Sequence, residues 1–162
     1  MIKKRVLSES LTLITTTRFP YKKVKTSTHR YRATIGIGGN VGDVLRRFNH
    51  LFFKLQIDKR VELLQSAPIL KNPPFGYVAQ DDFLNSVVIL ATSMQPRVFL
   101  AYLMRLEKRF LRKRSFANAP RTLDLDILFF DERKIDTKSL KVPHPQWMKR
   151  ESVLIPLSRI KR

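Results

Sequence analysis

Between residues 123 and 130 the chain reads Leu-Asp-Leu-Asp-Ile-Leu-Phe-Phe, an apolar run broken at alternate positions by two acids. Successive side chains of an extended strand point to opposite faces. Asp124 and Asp126 therefore leave from one face, while Leu123, Leu125 and Ile127 pack on the other. Two carboxylates a few ångströms apart repel, and one of them holds its proton more tightly unless a cation or basic group stands between them. Oxygen ligands in such a pair suit Mg²⁺, held partly by water and substrate phosphates. A bare Asp-x-Asp also arises by chance, and alone it reads most simply as a solvated strand face bridged to lysines.

The surroundings shift that balance. Directly upstream lie Arg105, Lys108, Arg109, Arg112, Lys113 and Arg114, followed by Pro120-Arg121-Thr122. A cationic loop leading into a two-carboxylate strand is what a metal–polyphosphate complex requires: acids for the metal, guanidinium forks for the phosphates. The whole chain is basic, with 32 Lys and Arg against 13 Asp and Glu in 162 residues, a net charge of +19. That surplus points to nucleic acid, anionic lipid or a polyanionic small substrate as partner. Cysteine is absent, which excludes disulfides, thiolate metal sites and cysteine nucleophiles. No run of about 18 apolar residues occurs, and Ser8, Glu9, Ser10 and Thr12 break any signal-like stretch behind the basic start. The expectation is a soluble cytoplasmic protein with no membrane partner.

Periodicity predicts the elements. The first 32 residues carry nine basic side chains and one acid. Alternation through Leu11, Leu13 and Thr15, and through Val24, Thr26 and Thr28, predicts two strands at a sheet edge, with a loose basic extension as the equal alternative. Ala33 to Asn40 reads as a strand entering a glycine turn, and Asp43 as the cap of a helix from Val44 to about Leu55. Val61 to Ile69 reads as one strand, Pro73-Pro74-Phe75-Gly76 as an extended loop, and Phe83 to Ala91 as a second strand. Pro96 starts a helix with Val98, Leu100, Leu103, Leu106 and Phe110 on its apolar stripe. Arg112 to Pro120 is a basic loop, Thr122 to Phe130 a buried strand, and Val142 to Ile160 a short tail. These elements predict an α+β sandwich with an antiparallel or mixed sheet. Gly36-Ile-Gly-Gly-Asn40 lacks the Lys-Ser/Thr of a P-loop, and no Ser-His-Asp set or histidine cluster is evident.

Four blocks in order carry a resemblance: Gly36-Ile-Gly-Gly-Asn40-Val-Gly-Asp43; Pro73-Pro-Phe-Gly76 leading to Gln80-Asp-Asp-Phe-Leu-Asn85; Pro120-Arg-Thr-Leu-Asp-Leu-Asp126; and Val142-Pro-His144-Pro. The chain resembles the 6-hydroxymethyl-7,8-dihydropterin pyrophosphokinases of folate biosynthesis from about Ala33 to Ile160. The resemblance implies a ferredoxin-like α/β sandwich with a mostly antiparallel sheet, a domain over 33–162, and residues 1–32 as an addition to it. It implies ATP and the pterin as substrates and two Mg²⁺ on Asp124 and Asp126. Arg112 and Arg121 would clamp the phosphates as catalytic residues. Glu107, Ile127 and His144 would complete the ATP site. Phe83 would stack on the pterin, Asn85 would read its amide edge, and Pro73, Pro74 and Phe75 would close the pocket.

The chain departs from the family pattern in several places. Where an aromatic usually covers the second pterin face it has Ser152, so Trp147 or a loop residue is expected to take that role. Phe116 is expected to replace a missing tryptophan of the arginine loop, and Asn72 replaces a threonine. The chain also ends soon after Leu157, which would cost it a last strand or helix. A ferredoxin-like RNA-binding module is the rival reading, disfavoured because a paired-acid strand suits a phosphate backbone poorly. Another Mg²⁺-dependent Asp-x-Asp transferase would leave Gln80 to Asn85 without purpose. A monomer is expected.

Overall fold

The computed structural model describes residues 1–112 and 116–160. The chain order is β1 (Lys3–Val6), β2 (Thr12–Thr15), β3 (Tyr21–Lys22), β4 (Tyr31–Gly39), α1 (Val44–Ile57), β5 (Val61–Ser66), β6 (Ile69–Asn72), β7 (Phe83–Thr92), α2 (Pro96–Arg109) and β8 (Asp124–Phe130). A small hairpin of β9 (Ile135–Asp136) and β10 (Lys141–Val142), a 3₁₀ turn (Trp147–Lys149) and α3 (Glu151–Ser158) follow. Within this, β4-α1-β5-β7-α2-β8 is a βαββαβ unit whose strands lie in the order β5-β7-β4-β8, every ladder antiparallel. That is the ferredoxin-like split βαβ arrangement, an α+β sandwich.

Local chemistry explains the helices. Asp43 accepts the backbone N–H of Arg46 at 3.1 Å, capping α1 where the sequence placed the cap. Its buried stripe is Val44, Phe48, Leu51, Phe52 and Leu55. Pro96 opens α2 at its first position, where the missing N–H costs nothing. The stripe of α2 differs from expectation: Phe99, Tyr102, Leu103 and Leu106 are buried, while Val98 is 53% exposed. Both helices cover one face of the sheet, where Ile35, Ile37, Val88, Leu90, Leu125, Ile127 and Phe130 form the main core.

Three other expectations change. The predicted strand over 61–69 is two strands that line one edge of β7 end to end: β5 beside residues 88–92 and β6 beside 83–85. Pro68 has no N–H for a ladder, and it falls at the break. The basic first segment does form strands, but three instead of two: the strand near the second run is Tyr21–Lys22, paired with β5, and residues 24–28 are irregular. Its β1–β2 hairpin joins β6. Lastly, the tail folds back as α3 on the other sheet face, over a small cluster of Ala67, Val87 and Leu128, with Trp147, Val153 and Leu157 packed on it. Only two turns long and carrying Pro156, it gives too little periodicity to read.

Candidate active site

Register assembles the site. Strands β7, β4 and β8 put Asn85, Gly38 and Asp124 side by side in one cross-strand row, and Val87, Gly36 and Asp126 in the next. Cross-strand partners share a face, so these rows lie opposite the helices. Gly38 leaves room for the Asn85 amide: a Cβ there would meet Asn85 Oδ1 and push that side chain aside. Over the rows opens a cavity of about 440 Å³. Pro73, Pro74, Phe75, Phe83 and Asn85 wall one side of it; Arg121, Asp124, Asp126 and His144 wall the other; Lys149 to Val153 of the tail close it from above.

Charge is concentrated at the acidic end. Asp124 pairs with Arg112 through Oδ1, and with Arg121 through Oδ2 at 3.0 Å. Behind it Glu107, 4% exposed, accepts the Leu125 N–H at 2.7 Å and meets Arg112 at 3.3 Å. Burial, then the Asp124 and Glu107 charges, push the Asp126 carboxyl up to about 7, with Arg150 and Arg121 pulling the other way. Burial and Arg150 hold His144 below its ordinary value, against the charge of Asp124. Its Nδ1 accepts the Gln146 N–H at 3.1 Å, leaving Nε2 to carry the proton of the neutral ring.

Among the described residues no three acids or histidines are grouped to cage a metal. Two neighbouring carboxylates, one destabilised by the other, fit an ion that keeps part of its shell for water and phosphate, as Mg²⁺ does. Arg112 Nε is buried with no partner, one of two such atoms found with Thr122 Oγ1 among the described residues.

The structure brings together most of the residues singled out above, with three changes of place. Ile127 points into the main core, so only its backbone can face the site. Arg112 and Glu107 stand behind Asp124 instead of lining the cavity. Trp147 turns away to pack edge-on against Phe129, centroids 5.0 Å apart, and cannot cover a ligand in the cavity. The loop alternative fits better. Phe75 is 70% exposed at the cavity, and the Arg150 guanidinium lies 5.5 Å from its ring centre. Phe83 lies under Arg121 at 5.7 Å. Phe116 packs edge-on against Tyr77, at 5.2 Å. Lys113 and Arg114 of the basic run lie outside the described residues.

Asn40 and Gln80 lie in two of the matching sequence blocks, where nothing assigns them a role. Asn40 Oδ1 accepts the Arg121 N–H at 2.9 Å, and its Nδ2 donates to Gln80 Oε1 at 2.8 Å. Gln80 Nε2 in turn donates to the carbonyls of Tyr77 and Asn118, at 2.6 and 2.8 Å. Three loops are thereby stitched around Arg121. Their only signal in the sequence was amide side chains in glycine- and proline-rich segments, which is common in any turn. Arg150 and Glu151 were equally silent, since the short tail around them carries no readable periodicity.

Residues 34–162 match the family described as 7,8-dihydro-6-hydroxymethylpterin-pyrophosphokinase. The chain is 40% identical over 142 residues to the 2-amino-4-hydroxy-6-hydroxymethyldihydropteridine pyrophosphokinase of Campylobacter jejuni, covering 88% of this chain and 90% of that one. Identity to the Helicobacter pylori enzyme of that name is 38%, over 90% of this chain and 91% of the other. The Bacillus subtilis enzyme matches at 36%, over 79% and 77%. The Campylobacter and Helicobacter matches leave fewer residues outside than the basic segment contains, so both reach into it. With the acid pair, Arg121 and the Pro73–Phe75 loop gathered on one cavity, these matches make the chain a member of the 7,8-dihydro-6-hydroxymethylpterin-pyrophosphokinase family.

Proposed function

We propose that the protein transfers pyrophosphate from ATP to 6-hydroxymethyl-7,8-dihydropterin, a step of folate synthesis, releasing AMP. The observation that carries this reading is the row joining Asn85 to Asp124 across Gly38, which sets a polar heterocycle-reading side chain beside an acid–arginine cluster in one cavity. The pterin alcohol oxygen attacks the β-phosphorus of ATP, the bond from that phosphorus to the α–β bridging oxygen breaks, and the alcohol proton is released. Mg²⁺, two ions on Asp124 and Asp126 in this reading, would draw charge from the triphosphate and make the alcohol a stronger acid, easing loss of its proton to water.

The chain's own residues do the rest. Arg121 lies between Phe83 and Asp124, so it can follow the charge that shifts onto the leaving phosphate. Arg112 is fixed by Glu107 and Asp124 and holds the latter's carboxylate in place. Neutral His144 can donate its Nε2–H to a phosphate or ribose oxygen. Phe83 and Phe75 offer apolar ring surface, and Asn85, tied to Asn72 at 2.7 Å, an amide for the pterin edge. No helix of the described residues is long and apolar enough to cross a membrane; a cytoplasmic monomer belongs to the same reading.

AMP formation from ATP tests it. AMP should appear only when both hydroxymethyldihydropterin and Mg²⁺ are present. AMP production independent of the pterin, or none with all three components, would end the proposal.

A further inference from the structure

We infer that the basic N-terminal segment is a positioning element for the pterin-binding loop, acting through β2 on β6; this rests on the function proposed above. The strand β6 has four residues, enclosed by Pro68 before it and Pro73-Pro74 after it. Its ladder to β7 covers only Leu70↔Asn85, Lys71↔Leu84 and Asn72↔Phe83. A strand this short, paired on one edge and unable to lengthen through proline, is a marginal element. Yet its last residue, Asn72, accepts the Asn85 amide, and the next three residues line the cavity.

The segment supplies the second edge. β2 pairs Thr12↔Lys71, Leu13↔Leu70 and Ile14↔Ile69. It is buried on both faces: Ile14 joins the main core with Ile69, and Leu13, 5% exposed, sits against Leu70 on the site face. An edge strand with a solvated side would alternate buried and polar; burial on both sides marks an interior strand. The row that holds the site therefore starts in the added segment: Leu13, Leu70, Asn85, Gly38, Asp124. The segment is in turn anchored away from the site, with Phe19, 1% exposed, between Phe48 and Phe52 of α1 at 5.9 Å from each. The outer hairpin strand β1 is fully exposed and lysine-rich, which blunts the new edge against further pairing. With β6 held on both edges, the Pro-Pro-Phe loop starts from a fixed register, and less ordering remains to be done when the pterin binds.

Leu13→Ala, with Leu13→Val as the milder companion that keeps strand preference, tests this in the full-length enzyme. The expected result is a rise of about tenfold in KM for the pterin, with kcat and the KM for ATP changed by less than about twofold. Leu13→Val should move the same constant less far, and Leu13→Met, which restores volume, should return it toward the native value. Amide exchange should accelerate at residues 69–75 and stay unchanged at 124–130. A fall in kcat with both KM values constant, or equal rises in both, would mean a merely structural role and overturn the inference. Absence of pterin-dependent AMP formation in the unaltered protein would instead remove the function itself.

Discussion

The two faces of the central sheet have opposite priorities. Under α1 and α2 the strands meet the helices through branched and aromatic side chains in close contact, with Ile35, Leu90 and Phe130 of the strands and Phe99 and Leu103 of α2 at most 1% exposed. On the other face the same strands present two glycines, two acids and an asparagine, roofed by an eight-residue helix. One face gains stability from apolar burial. The other spends it on like charges at Asp124 and Asp126 and on a glycine inside a central strand. Strands alternate, so both roles are carried by one set of residues without mixing.

The largest effects should separate the faces cleanly. Asp126→Asn should cut AMP formation by about a thousandfold or more, while in metal-free protein it raises the melting temperature, because it removes a carboxylate charge disfavoured by burial and then by Asp124 and Glu107. A melting temperature that falls together with activity would break the comparison. On the helix side Phe99→Ala should cost about 3–5 kcal/mol in denaturant unfolding and leave the KM values of the remaining folded enzyme unchanged. A smaller effect is expected from Gly38→Ala, whose new methyl must displace Asn85. The KM for the pterin should rise by about tenfold with little change in unfolding midpoint; an unchanged KM would show that Asn85 is not used.

The smallest effect lies beneath the helix side, where Asp58 accepts Tyr102 Oη at 2.9 Å and is gripped by both Nε and Nη2 of Arg60. The Arg60 hydrogen bond chiefly holds its carboxyl down at about 2. A carboxylate held low adds stability above its unfolded value, and that contribution is lost as pH falls from about 4 to about 2. Asp58→Asn should therefore lower stability by about 1 kcal/mol or less at neutral pH, and the variant and native curves should converge once pH falls below about 2. Parallel curves would assign that acid dependence elsewhere.

The elements that could be read in advance are those whose signal is local. Alternation placed β8, and helical spacing with Asp43 and Pro96 placed α1 and the start of α2. Elements that depend on what they pack against were misread. The division of 61–69 is set by which half of β7 each part meets; Val98 faces solvent because the sheet lies under Phe99 and Leu103; α3 exists because Val153 and Leu157 find Leu128 and Val87. In the site, the acid pair was legible from its spacing. The withdrawal of Trp147 to Phe129, the position of Arg112 behind Asp124 and the amide chain from Asn40 through Gln80 were not, because each joins segments far apart in the chain.

The sequence alone determined that Asp124 and Asp126 share a face, that glycines lie in the strand beginning at Ala33, and that a proline loop precedes Asn85. These follow from the two-residue repeat of a strand and the fixed backbone of proline, which act within a few residues. Only the tertiary structure decided that Asn85, Gly38 and Asp124 form one row, and that Leu13 of the added segment begins it. Register between strands is chosen by the burial of whole faces, and a slip of one residue would turn every one of these side chains to the wrong side.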